Sequence, residues 1–313
     1  MKIQFRVLFG AALGAGMLVA GFAAFAGGEV PTKATNLSIS TSRHNLTQSY
    51  LGGTAGLMDL ARNDYGEVCV YCHTPHGANT KLAAPLWNRT FKGNTYKTYA
   101  DLGTSTLTQP VGQPGINSLT CLSCHDGTTA IDSIINMPGS GGYNQSQETA
   151  QNKGFLDAWT GGGGGGLAGH FPLGDPGESV TCMMCHSSVG SGVGTTLAAD
   201  LAVVKIGTDL SNDHPVGIRF PMDAFAVDNV DFNVPKKVGN LVFFDSDGND
   251  RMDPRNVRLY QTNGVYRVEC ASCHDPHGVP SNGPGTVFNP TFLRVANNIP
   301  GNGSALCLTC HTK

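Results

Sequence analysis

The sequence predicts a chain that is mostly coil, with short helices and one small antiparallel β-meander, organised around bound groups more than around its own side chains. Three observations lead there. All ten cysteines fall in five copies of Cys-x-x-Cys-His. The chain has 42 glycines, 8% aromatic and 14% charged residues, few large apolar groups for 313 residues. Finally, residues 241–244, 257–260 and 265–268 (LVFF, VRLY and VYRV) are short β-rich runs, with the turn pairs Asp247-Gly248 and Asn263-Gly264 between them.

The five motifs are Cys69/Cys72/His73, Cys121/Cys124/His125, Cys182/Cys185/His186, Cys270/Cys273/His274 and Cys307/Cys310/His311. Their spacing is that of c-type haem attachment: two thiols bond covalently to the porphyrin, and the next imidazole is the proximal iron ligand. Zinc ribbons pair their Cys-x-x-Cys units without a histidine after each. A disulfide scaffold would not place every cysteine at one internal spacing. The fold class is therefore a multihaem cytochrome c in which five c-type haems form the core that the side chains are too sparse to build. Short helices are expected at the motifs, over 197–204 and around 55–62. The motifs begin at 69, 121, 182, 270 and 307, with no fixed period, which argues against a solenoid.

Residues 1–26 read as a signal peptide. Lys2 and Arg6 supply the positive start, residues 7–21 are apolar and small, and Ala24-Phe25-Ala26 is the cleavage site. The apolar stretch is too short and glycine-rich to span a membrane stably. Export is thus expected. Residues 27–313 form the pentahaem domain. The six glycines of 161–166 divide it into a two-haem half (27–140) and a three-haem half (168–313), or are simply a surface loop. The net charge is −3, and loss of Lys2 and Arg6 makes the exported chain more acidic. Without a basic stripe, nucleic acid and anionic membrane surfaces are not expected partners.

The ten histidines divide evenly. Five lie in the motifs, and five (His44, His76, His170, His214 and His277) lie outside them. Five irons need five distal ligands, so the count predicts that every haem has two histidine ligands. CVYCHTPHG (69–77) and CASCHDPHG (270–278) read as copies of one local device. In each, the second histidine lies three residues after the proximal one, on the same face of a short turn. It cannot easily reach the far side of its own haem, so His76 and His277 are expected to ligate neighbouring haems. His214 has Asp213 beside it as a candidate acceptor for its outer ring nitrogen, and His170 lies in a similar Pro- and Gly-containing setting. His44, near the start of the exported chain, can ligate within its own chain or in a neighbouring subunit. Met58, Met137, Met222 and Met252 are the competing axial ligands. Closed irons, and no nucleophile–base arrangement, argue against an enzyme and against any catalytic residue. The acidic cluster from Asp245 to Asp253 departs from a calcium loop at its sixth and twelfth positions and reads better as a polar hairpin turn. Trp87 reads as a haem-packing residue.

These residues resemble a known group. SRHNL, CVYCHTPHGAN, APLWNRT, LTCLSCHDGTTA, LSNDHPVG and CASCHDPHG are similar to segments of the exported multihaem cytochromes of metal-reducing bacteria, above all those that polymerise into extracellular filaments, or nanowires. The resemblance implies electron transfer along stacked haems, location outside the cell or at its surface, and self-association into a homopolymer. It also implies exchange with other redox proteins or extracellular acceptors, with His44 the candidate for donation across the subunit junction. A monomeric pentahaem carrier of the periplasm is the alternative.

Overall fold

The computed structural model describes residues 39–47, 62, 65, 67–82, 84–136, 171–178, 181–187, 201–222, 231–281, 288–297 and 304–312. The glycine run, His170, Met58 and Met137 lie outside them. Most of the described chain is coil and turn. The regular part is a four-stranded antiparallel meander of β1 (Lys236–Val238), β2 (Leu241–Phe243), β3 (Arg258–Thr262) and β4 (Val265–Arg267), in that spatial order. Three of these strands match the β-rich runs. The turn from β3 to β4 puts Asn263 and Gly264 at φ 52° and 78°, the left-handed pair that the Asn-Gly step favours. The sequence did not predict β1. Its two lysines give it no apolar alternation, and it lies at the sheet edge, where lysines keep an unpaired strand from adding to another chain.

The sheet buries a side-chain core of Phe220, Val242, Phe244, Val257, Leu259 and Tyr266, with Met222, Phe232, Leu306 and Cys310 against it. A composition poor in apolar residues still concentrates them here, and Met222 is engaged in this packing. The acidic turn is held by its own backbone, since Asp245 accepts from the amides of Gly248 and Asp250. Lys236 of β1 pairs with both Asp245 and Asp250. Among the described residues no group of three or more His, Cys, Asp or Glu side chains is arranged to hold a metal ion, and no helix is long and apolar enough to cross a membrane.

A helical turn sits at every motif. Motif two lies in α1 (Ile116–His125), motif four in α2 (Cys270–Cys273) and motif five in α3 (Ala305–Cys310), while motifs one and three form 3₁₀ turns at Cys69–Tyr71 and Cys182–Met184. In motifs one, three, four and five the histidine amide donates to the carbonyl of the first cysteine, at 2.8, 3.0, 3.0 and 2.9 Å. One backbone bond thereby puts both sulfurs and the imidazole on a single turn. A further 3₁₀ turn, Ala202–Val204, falls within the helix expected over 197–204.

Two buried charged residues tie these turns together. Glu269, 1% exposed, caps α2, and its carboxylate accepts from the Gly115 amide and the Ser118 hydroxyl at the start of α1. Arg89, also 1% exposed, donates to the carbonyls of Ser123, Ala130 and Ile131 and to the Ser123 hydroxyl. It clamps the segment after motif one onto the segment after motif two.

Candidate haem-ligation site

Among the described residues, the rings of His44, His73, His125, His274 and His277 are fixed through the same atom. Nδ1 of His73 lies 2.8 Å from the Pro85 carbonyl, that of His125 2.7 Å from Val204, and that of His274 2.7 Å from Thr291. Outside the motifs, His44 Nδ1 is 3.2 Å from the Pro276 carbonyl and His277 Nδ1 is 3.1 Å from Asp275 Oδ1. A carbonyl can only accept, so Nδ1 carries the proton and Nε2 keeps its lone pair. This is how metal-ligating histidines are oriented and their tautomer set. The Thr291 anchor requires positive φ at both Thr291 and Phe292, 53° and 59°, a costly backbone for non-glycine residues. It aims one carbonyl at His274 and places the Phe292 ring on His44, 4.5 Å away and tilted by 24°.

The rings also come in pairs. His73 and His277 have centres 6.2 Å apart and planes 12° from parallel, and His125 and His44 have centres 6.1 Å apart and planes 82° apart. An imidazole nitrogen binds a first-row metal at about 2 Å, and the ring centre lies about 1.1 Å behind it, so two axial rings on one iron stand about 6.2 Å apart. Both pairs fit that span. Near-parallel rings in direct contact sit closer, as His44 and Phe292 do. The residues therefore fit an iron held between two imidazoles. Beside the first pair, the Trp87 ring meets His73 edge-on at 5.9 Å, and its buried Nε1 has no acceptor among the described residues.

No family model matches this chain, and no curated protein does.

Electrostatics agree with neutral, ligand-ready rings. Burial, then the neighbouring His125, lowers His44 to about 4. Burial also lowers His125 and His274. His214 is lowered by loss of water around its ring and then by the charge of His311. The carboxylate of Asp275 instead raises His277. Burial of Asp275 alone would raise its own pKa, but His277 and the charge of Arg294 outweigh this and hold it at about 2.

None of the ten motif cysteines, expected to carry the porphyrins, is in a disulfide. Cys69 and Cys307, the first cysteines of motifs one and five, are exposed, and the other eight are half-buried. Burial pushes Cys72, Cys182 and Cys310 up to about 12 and Cys273 to about 11. Cys121 and Cys270 share a hydrogen bond that holds the Cys121 thiol protonated, so motifs two and four meet sulfur to sulfur. The second cysteines of motifs two and three, Cys124 and Cys185, are placed by their backbones. The Cys124 carbonyl accepts from the Gly127 amide at 3.4 Å, and the Cys185 amide donates to the Cys182 carbonyl at 3.2 Å. The sequence expects thioether bonds at Cys124 and Cys185. Both side chains are half-buried, each beside its histidine on the motif turn.

His76 is exposed, and no ring partner for it is found among the described residues; its backbone carbonyl accepts from the Thr74 hydroxyl at 2.8 Å. The hydrogen bond anticipated between the His214 ring and the Asp213 carboxylate takes another form. The His214 ring bonds the Pro215 backbone, and Asp213 offers its carbonyl to the Tyr99 hydroxyl. Sequence reasoning did not find Glu269, Arg89 or Asp275. Only Asp275, two residues before His277, carried a local signal.

Proposed function

We propose that this chain is a pentahaem c-type cytochrome that transfers electrons and belongs to a polymeric extracellular filament. When bound, haem supplies a one-electron couple. The residues proposed to hold it are the ten motif cysteines, His73, His125, His186, His274 and His311 as proximal ligands, and His44, His76, His170, His214 and His277 as distal ones. The observation that carries the reading is the two imidazole pairs at iron-spanning distance, each ring with its Nδ1 anchored. In this reading His277 closes the iron of motif one, His44 that of motif two and His214 that of motif five. His76 and His170 then serve motifs three and four. Held by two of these histidines, each iron would have no position left for substrate, as metal catalysis requires.

The placement of His44 favours the second reading, a monomeric periplasmic carrier. His44 faces His125 of its own chain, held by the Pro276 carbonyl and Phe292, so closure of that iron needs no neighbour. The motifs shared with filament-forming cytochromes favour the first. Two measurements test the proposal. A haem-to-chain ratio of five, with low-spin spectra and no near-infrared methionine–iron band, is expected; a different ratio or a methionine band refutes the ligand set. Negative-stain images of secreted protein decide between filaments and single particles.

A further inference from the structure

The two copies of the local device differ at one position. Unit one has Thr74 after its proximal histidine, and unit four has Asp275. Thr74 spends its hydroxyl on the backbone carbonyl of His76. Asp275 turns Oδ1 to His277, taking both the amide and Nδ1–H of that residue at 3.1 Å. Of the five rings anchored at Nδ1, four use a backbone carbonyl, and only His277 uses a carboxylate. Oδ2 of Asp275 accepts from Arg294 at 3.0 Å. Arg294 is itself buried, its side chain 3% exposed, and is fixed by the carbonyls of Ala271 and Pro254. The His277 side chain is 63% exposed, so little surrounding protein fixes its rotamer.

The geometry points to Asp275 as a positioning residue that orients His277 toward His73 and makes it the most electron-rich of the anchored axial ligands, lowering the reduction potential of the haem those two histidines share. The inference rests on the proposed haem ligation. The physics is that of carboxylate–histidine–metal triads. An ionised acceptor strengthens the Nδ1–H bond and raises the basicity of Nε2, and a more basic axial ligand stabilises ferric over ferrous iron. Arg294 donates to Oδ2 and aims the carboxylate, which leaves Oδ1 for the ring and amide of His277. Gly278, at φ +86° with Phe288 against the place a Cβ would occupy, sets the turn that brings His277 back over its own Asp.

The test is spectroelectrochemical titration of the purified five-haem protein. In Asp275→Asn and in Asp275→Thr, which copies unit one, one of the five transitions is expected to move to higher potential while four stay in place. Asp275→Glu keeps a carboxylate and is expected to return that transition toward the wild-type value. Appearance of one high-spin haem in the Asn or Thr variant also supports the inference, because it shows the ring released from its iron. Five low-spin haems with all five potentials unchanged in both variants overturn it. The underlying ligation is judged separately. His277→Ala must give one high-spin haem in five, and failure there refutes the pairing whatever the Asp275 variants do.

Discussion

At the residue scale, the site depends on where single nitrogen and oxygen atoms point. Among the described residues five rings are anchored at Nδ1, and two pairs of rings stand at a separation that one iron would span. His44 is the most informative of these residues, because its ring is seated within its own chain. In isolated, haem-loaded His44→Ala, electron paramagnetic resonance is expected to show one high-spin ferric haem in five, with four low-spin. An all-low-spin spectrum would remove His44 from the ligand set. Glu269 gives a pH dependence. Burial raises its pKa above the ordinary 4.5, so the fold favours the protonated form. Its stability contribution is full below that ordinary value and declines as pH rises through the raised one. The melting temperature of wild type relative to Glu269→Gln is therefore expected to fall as pH increases from the acid side; a difference independent of pH contradicts this.

At the element scale, the motif turns were legible and their mutual arrangement was not. Cys-x-x-Cys-His specifies a tight turn wherever it occurs, and each of the five is helical. Three of the four strands were legible, because Val, Leu, Phe and Tyr runs between Asp-Gly and Asn-Gly turns carry a strand signal. The edge strand carries lysines and no such signal. The core under the sheet has measurable weight. Leu259, 4% exposed, packs with Phe244 and Tyr266, and Leu259→Ala is expected to cost about 3 kcal/mol by denaturant unfolding. A cost below about 1 kcal/mol would mean that the cluster contributes little beside the bound groups.

At the scale of the whole molecule, segments far apart in sequence interlock around the histidine pairs. His44 rests on Pro276, His277 faces His73, His125 is anchored by Val204, and α1 packs on α2 through Glu269. In the proposed reading each iron joins two such segments, and the described side-chain clusters are small. Apo-protein made without haem ligation is therefore expected to be largely unfolded. Far-UV circular dichroism and limited proteolysis against the haem-loaded form measure this, and a compact, protease-resistant apo-protein would contradict it.

The sequence by itself determined the number of Cys-x-x-Cys-His motifs, the even division of histidines, the local turns and most of the meander. Each is written in adjacent residues, so short-range chemistry suffices to read it. Only the tertiary structure decided which histidine faces which, and that His44 turns inward to its own chain. The anchors that make those choices are mostly the backbone carbonyls of Pro85, Val204, Pro276 and Thr291. Every residue has a carbonyl, so no side-chain pattern announces the ones that the fold brings within reach of a ring.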